Sequence, residues 1–251
     1  MTTFSTDIPS LALTTFQVLN LASYASQVSS PTPYSRFALP PSDSSPSTIS
    51  GRKGMLCIYT PALLVSSFFL MTSPAANGRE HLASCLLLAH FGKRVLETLF
   101  LHKYSGTMEL QTASFIGGFY AFISAACLFQ QRSVLSYGGD FPVGSLLAVF
   151  AVGQLGNLYH HYLLSRLRTG PGTGYVVPTG GLFSLCTSPH YFFELLSWFS
   201  FALVCNHLNV FLTAMGMTSY LAGRSVSNQR WSAEKFGEKW KAKKNMIPFI
   251  F

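Results

Sequence analysis

Long apolar runs separated by short polar stretches organise this chain from end to end. A bilayer span needs about 20 consecutive, mostly apolar residues. The first run, Ile8–Val28, is diluted by Ser and Thr. Ser29–Lys53 is rich in Ser and Pro, has no helical period and reads as a loop. Met55–Met71 and Thr112–Phe129 read as spans; between them, His81–Leu101 is interrupted by His90, Lys93, Arg94 and Glu97. Val143–Leu164 is a further span that runs into Arg166 and Arg168. A Gly- and Pro-rich loop, Thr169–Gly181, precedes Tyr191–Leu221. That last run has about 31 residues, too long for one crossing at about 1.5 Å per residue, and Asn206-His-Leu-Asn209 divides it into a helical hairpin. The pattern predicts an all-α fold, a polytopic membrane bundle of about seven transmembrane helices. It separates residues 1–53, a dilute first span with its Ser/Pro-rich loop, from a membrane domain over 55–251.

Composition supports lipid as the surrounding medium. Charged residues make up 10% of the chain and apolar residues 49%, with 22 Phe; a soluble domain carries about 25% charged residues. The net charge of +8 is uneven: from Arg224 onward there are seven Lys or Arg against Glu234 and Glu238. Basic residues just after the last apolar run predict a cytosolic C-terminus and can attract anionic headgroups or a phosphorylated cofactor. The charge lies on a tail beside lipid-scale segments and no nucleic-acid motif accompanies it, which argues against nucleic acid as a partner. The N-terminus lacks the basic region of a cleavable signal peptide, so the first span is expected to be retained. The five cysteines form no C-x-x-C pair and four lie in or beside apolar runs, so neither a disulfide framework nor a metal site is expected.

Four clusters can carry chemistry. On a helix, His90, Arg94 and Glu97 share one face. Charges inside a span must pair or line a watery cavity: either Arg94 and Glu97 form a structural ion pair, or Arg94 grips a phosphate or ribose with its planar fork. Asn157, Tyr159, His160, His161, Tyr162, Arg166 and Arg168 close another segment; they suit interfacial anchoring or cofactor contact, and lack the carboxylates a metal would want. In Ser188-Pro-His-Tyr-Phe-Phe-Glu194, Pro189 sets a helix start, and His190 and Glu194 become i, i+4 partners. Arg224, Asn228, Arg230, Trp231 and Lys235 read either as a membrane-surface helix or as a binding surface. The glycines at 170, 172, 174, 180 and 181 do not form the G-x-G-x-x-G of a Rossmann turn.

Read together, these blocks resemble the steroid 5α-reductase family, which includes very-long-chain enoyl-CoA reductases and polyprenol reductases. The carriers are Pro178-x-Gly-Gly-Leu-Phe183, His190-Tyr191-x-x-Glu194-x-x-x-Trp198, Arg224, Trp231 with Lys235-Phe236, and Ile247-Pro-Phe249. His90-x-x-Lys93-Arg94-x-x-Glu97-x-x-Phe100-x-His102 is similar to the enoyl-CoA reductase branch. The resemblance covers roughly Met55–Phe251. It implies a multi-pass enzyme of the endoplasmic reticulum membrane that uses NADPH to reduce a C=C bond conjugated to a carbonyl. The positions matching the family's cofactor contacts are Arg94, Asn157, Arg168, His190, Tyr191, Glu194, Arg224 and Asn228. At the substrate end the family's Glu two residues before a Pro is replaced by Tyr59, ahead of Pro61, and its Tyr after the His is Phe91 here. Tyr59 and His90 are therefore the expected catalytic pair, with Tyr59 donating to the substrate carbonyl.

The expected substrate is a lipid-soluble 3-oxo-Δ4 steroid or sterol. Alternatives are a trans-2-enoyl-CoA of very-long-chain elongation, a membrane methyltransferase reaction with S-adenosylmethionine, and a catalytically inactive lipid-binding relative. Membrane lipids are the expected surroundings, and no obligate protein partner is inferred.

Overall fold

The computed structural model describes residues 8–34, 37, 47–73, 78–104, 106–132, 142–167 and 174–251. The chain falls into two compact units: Thr32–Pro142, and Met1–Pro31 together with Val143–Phe251. Almost all regular structure in both is helical.

The 32–142 unit contains β1 (Thr48–Ser50), α3 (Gly51–Thr72), α4 (Gly78–Leu96), a π-helical turn (Glu97–Leu101), β2 (Thr107–Glu109) and α5 (Leu110–Gln131). Ser50 caps α3, its hydroxyl accepting from the Lys53 amide at 3.4 Å, a partner for one of the four N–H groups a helix start leaves open. Apolar residues four apart make the inner faces: Ile58 and Ala62 on α3, and Ala83, Leu87 and Phe91 on α4, joined by Ala113, Ile123 and Leu128 of α5. The opposite faces leave Leu64, Phe68 and Met71 of α3 and Phe115, Phe122 and Phe129 of α5 exposed. β1 and β2 pair antiparallel, Ile49 opposite Met108, and so tie the starts of α3 and α5. Thr48–Ser50 lies within the stretch read from sequence as loop; a three-residue strand is too short for alternation to register. At the other ends of these helices, Arg132 Nε donates to Glu80 Oε1 at 2.9 Å and Nη2 to Thr72 at 3.3 Å.

The other unit contains α1 (Ile8–Asn20), α2 (Ser23–Ser29), α6 (Val143–Arg166), a 3₁₀ turn (Gly181–Ser184), α7 (Pro189–Cys205) and α8 (Leu208–Phe236). The hairpin read at Asn206-His-Leu-Asn209 is present. Asn206 adopts the left-handed conformation at φ 48° that ends α7, and the His207 ring accepts from the Asn209 amide to start α8. Two boundaries differ from the sequence reading. The run Ile8–Val28 breaks at Leu21 and Ala22, whose amides turn back onto Val18 and Leu19. The last helix continues past Leu221 to Phe236, because no breaker intervenes until Gly237 at φ 53°.

Polar side chains of the first run and of α8 pair the two segments. Thr14 donates to Asn209 at 2.6 Å, Gln17 to Thr213 at 2.7 Å, Ser219 to the Leu21 carbonyl at 2.5 Å and Ser227 to the Gln27 carbonyl at 2.6 Å. The segment is thus bound to α8 by side-chain hydrogen bonds, each worth about 0.5–1.5 kcal/mol net. Gly223 allows the close approach: a Cβ there would lie 2.9 Å from that of Gln27.

Among the described residues, α3 and α5 are the two helices long and apolar enough by composition to cross a membrane. The other runs expected to span fall short for visible reasons. The first is split, α7 has 17 residues, and α4, α6 and α8 carry polar or charged positions along their lengths.

Candidate functional site

In the 32–142 unit, the polar residues of α4 meet Tyr59 of α3. Arg94 donates through Nη1 to Glu97 Oε2 at 2.5 Å and through Nη2 to the Tyr59 hydroxyl at 2.5 Å. Its guanidinium also lies 4.7 Å from the centre of the Tyr59 ring, a distance at which cation and ring quadrupole attract. Glu97 is 2% exposed, and its second oxygen receives Lys93 at 3.3 Å. The π-helical turn begins at Glu97, and its wider winding is closed by the His102 amide on the Glu97 carbonyl at 2.8 Å. Such turns frequently occur at functional sites. His90, one turn before Arg94, is buried with its ring edge-on to Phe91 at 4.9 Å. Tyr120 stacks on Tyr59 at 6.2 Å. In the loop beyond the turn, burial pushes the Tyr104 phenol up from its ordinary value, opposed by its hydrogen bond to Thr98.

Tyr59 and Arg94 are therefore brought together. The ion pair that the sequence offered as one reading of Arg94 and Glu97 is formed, and it includes the phenol as well. A phenol that accepts from a guanidinium is polarised along the chain of hydrogen bonds and becomes a better donor itself.

The second group of residues gathers in the other unit, around the start of α7. Pro189 occupies the first turn of α7. Asn157 of α6 donates to the His190 carbonyl at 2.9 Å and to Glu194 Oε2 at 3.0 Å, so one amide fixes both the opening turn and the carboxylate one turn later. The His190 ring packs on Tyr191 at 4.3 Å and lies 5.3 Å from that of His161. Asn228 of α8 donates to the Ser188 hydroxyl at 3.1 Å and reaches the Tyr191 hydroxyl at 3.5 Å. Arg224, one turn earlier on α8, is 2% exposed and donates to Gln27 Oε1 at 3.4 Å. The structure thus links Asn157, His190, Tyr191, Glu194 and Asn228, with Arg224 adjacent to Asn228 along one helix face. Along this stretch of α8 Arg224 and Asn228 are buried, Trp231 is half-buried, and Arg230 and Lys235 are exposed. Arg168 lies outside the described residues.

Two features hold this group in place. His160 is a clamp: its Nε2 accepts from the Leu182 amide at 3.1 Å while its Nδ1 pairs with the Gly156 carbonyl at 2.7 Å. An acceptor at Nε2 requires the proton at Nδ1, so the ring is neutral and ties the 3₁₀ turn to α6. Gly181 makes room for it at φ 49°, where an added Cβ would fall 2.8 Å from His160 Nε2. Gly181→Ala is expected to lower stability by about 2 kcal/mol, from the left-handed backbone penalty and the displaced ring; a thermal melt of the purified protein checks this, and an unchanged melting temperature would argue against the clamp.

The C-terminal tail is the second feature. The Thr187 and Ser188 amides donate to the Lys244 and Asn245 carbonyls, each at 2.9 Å, and Gln229 donates to the Lys243 carbonyl at 2.9 Å. Thr187 also donates to Gln229. Lys243 Nζ donates to the Phe183 carbonyl at 2.5 Å and sits over Trp240 at 5.0 Å. Met246 buries itself with Leu195 and Leu221. Burial depresses the Lys243 ammonium, opposed by Cys186, and pushes the Cys186 thiol up to about 11, so Cys186 is an inert thiol here.

Sequence reasoning missed Gln27, Gln229 and the Glu80–Arg132 pair. Each works through a partner distant in sequence, and none carries a motif. His160 was grouped with residues suited to interfacial anchoring or cofactor contact, and its clamp on the turn before α7 was not foreseen.

Residues 110–251 match the family model described as 3-oxo-5-alpha-steroid 4-dehydrogenase. The chain is similar to the 3-oxo-5-alpha-steroid 4-dehydrogenase 1 of Macaca fascicularis, 31% identical over 202 residues that cover 75% of this chain and 74% of the relative. The Homo sapiens protein of the same name is 29% identical over 233 residues, 87% of this chain and 86% of that one. A very-long-chain enoyl-CoA reductase of Dictyostelium discoideum is 27% identical over 203 residues, 78% of this chain and 67% of that one.

Proposed function

The chain belongs to the steroid 5α-reductase family, and from that premise we propose that it reduces the C=C bond of a 3-oxo-Δ4 steroid or sterol with NADPH. It is an oxidoreductase acting on C=C bonds, as the family's members are. The observation that carries the finer reading is the hydrogen bond from Arg94 to the Tyr59 phenol. Reduction of an enone collects negative charge on the carbonyl oxygen, and a preset donor at that oxygen stabilises the transition state. Tyr59 supplies a polarised O–H of that kind, standing where the family has a carboxylic acid. His90 is assigned as its helper. Arg94, which the resemblance puts among the cofactor contacts, also positions the phenol.

NADPH supplies the hydride when bound; the rest falls to the chain. The donor set of the 1–31 and 143–251 unit suits a dinucleotide. Arg224 offers a guanidinium for phosphate. Asn157 and Asn228 offer amides, and Glu194, His190 and Tyr191 offer an acceptor and ring contacts for a carboxamide and its base. Arg168 completes the set by resemblance. Asn157 keeps Glu194 oriented and the tail braces the turn before α7, so these groups need little reorganisation on binding.

Localisation follows from the same premise. We assign the chain to the endoplasmic reticulum membrane as a multi-pass protein of about seven helices with a cytosolic C-terminus, its membrane domain over 55–251. The exposed Leu64, Phe68 and Met71 of α3, Phe115, Phe122 and Phe129 of α5, and Val149, Val152 and Leu155 of α6 support lipid contact, since apolar faces of this extent are uncommon against water.

A second reading, reduction of a trans-2-enoyl-CoA, is favoured by the His90–His102 block and by the similarity to the enoyl-CoA reductase. Purified protein or microsomes supplied with NADPH and either a 4-en-3-one sterol or a long trans-2-enoyl-CoA separate the two by mass spectrometry. Conversion of the sterol alone is expected; conversion of the acyl-CoA alone favours the second reading, and conversion of neither removes both.

A further inference from the structure

We infer that Gln229 is a positioning residue for Asn228, a step that rests on the cofactor reading of Asn228 given above. The junction Gln229 makes between α8, the turn before α7 and the C-terminal tail then sets affinity for the dinucleotide. Two neighbouring amides of α8 hold two neighbouring hydroxyls of the turn: Asn228 Nδ2 donates to Ser188 at 3.1 Å, and Gln229 Oε1 accepts from Thr187. Gln229 is half-buried, and Thr187 and Ser188 are both buried. The other end of the Gln229 amide, Nε2, donates to the Lys243 carbonyl at 2.9 Å. One side chain therefore joins a segment 42 residues before it to one 14 residues after it. Main-chain bonds join turn and tail to each other. The Lys244 amide donates to the Leu185 carbonyl at 3.2 Å, and the Thr187 and Ser188 amides donate to the Lys244 and Asn245 carbonyls. Gln229 attaches that joined pair to α8, directly beside Asn228.

The residue type suits the task. A carboxamide carries a donor and an acceptor, and position 229 needs both, because the Thr187 hydroxyl donates and the Lys243 carbonyl accepts. A carboxylate could serve Thr187 but would face the carbonyl without a proton, and an apolar side chain would serve neither. What the junction fixes is the amide of Asn228. Its Nδ2 is committed to Ser188, with the Tyr191 hydroxyl at 3.5 Å. The plane of the amide then fixes Oδ1, the acceptor it offers to an N–H or O–H of the ligand. Freeing Thr187 lets Ser188 shift, and Oδ1 turns with it.

The test is equilibrium binding of NADP⁺, read by calorimetry on the full-length purified protein. Thr187→Val, similar in shape and without the hydroxyl, and Gln229→Met, similar in length and without the amide, are each expected to weaken NADP⁺ by about three- to tenfold, the net worth of one hydrogen bond. The double variant is expected to lose no more than Gln229→Met alone, since both changes release the same junction. Thr187→Ser, which keeps the hydroxyl, should bind as the parent does. A serine variant as weak as the valine one would trace the loss to the methyl group and overturn the role. Asn228→Ala serves as the reference. If it loses binding while Thr187→Val and Gln229→Met bind as the parent does, the positioning role is overturned and the cofactor reading stands. If Asn228→Ala binds normally, the cofactor reading of Asn228 fails and takes the inference with it.

Discussion

Replacing Tyr59 by Phe is expected to lower kcat about 100- to 1000-fold, the usual loss when one oxyanion donor is removed, while NADPH affinity stays at the parent value. The variant keeps the ring, and with it the stack on Tyr120 and the face beneath the Arg94 guanidinium. It removes one oxygen, which accepts from Arg94 and is assigned as donor to the substrate. Arg94 retains Glu97 through its other nitrogen, so the fold should hold to within about 1–3 kcal/mol, the range for leaving one buried polar group unpaired. Steady-state kinetics on an enone and a separate cofactor titration check the two halves. A variant that keeps more than about a tenth of the parent kcat would take Tyr59 out of the mechanism.

That assignment could be reached from the chain alone only in part. The departure from the family at Tyr59 and Phe91 was legible, because it is a difference in residue type at fixed spacing from Pro61 and His90. What the phenol touches was not, since Arg94 lies 35 positions away and nothing in local pattern selects Tyr59 as its partner. The i, i+3 spacing of Arg94 and Glu97, by contrast, offered their ion pair directly.

The same distinction runs through the fold. The hairpin at Asn206 was visible because Asn tolerates a left-handed backbone and the apolar run around it is too long for one crossing. The start of α7 was visible in Pro189. The extension of α8 to Phe236 was obscured by the change from apolar to basic residues after Leu221, which reads as a membrane boundary although the backbone has no reason to stop. The Ser and Thr of Ile8–Val28 looked like dilution of a span. Thr14 is instead a contact to α8, and Gln17 and the α8 hydroxyls of Ser219 and Ser227 bind the run there too, across separations near 200 residues. Gln27 was unreadable for that reason: a Gln near the end of a polar-flecked run carries no mark of the arginine 197 positions later. The pairing of β1 with β2 and of Glu80 with Arg132 joins segments separated by helices, and neither side signals its partner.

Arg94 provides the other large expected effect, because it serves two tasks that substitutions can separate. Arg94→Ala removes the closest cation from a carboxylate that is 2% exposed. Breaking a buried pair by removing one partner costs about 3–5 kcal/mol; Lys93, at 3.3 Å from the other oxygen, compensates in part, so a loss of about 3 kcal/mol is expected. Arg94→Ala combined with Glu97→Gln should recover part of it, since the buried carboxylate that lost its closest cation is gone, with a coupling of about 0.5–3 kcal/mol in a double-mutant cycle. Arg94→Lys then isolates the second task. An ammonium can still neutralise Glu97, but it lacks the planar fork that reaches Glu97 and Tyr59 at once. Its melting temperature should stay near the parent value while kcat falls toward that of Tyr59→Phe. A lysine variant that is stable and fully active would mean that the phenol does not depend on the guanidinium, and would remove the positioning task from Arg94.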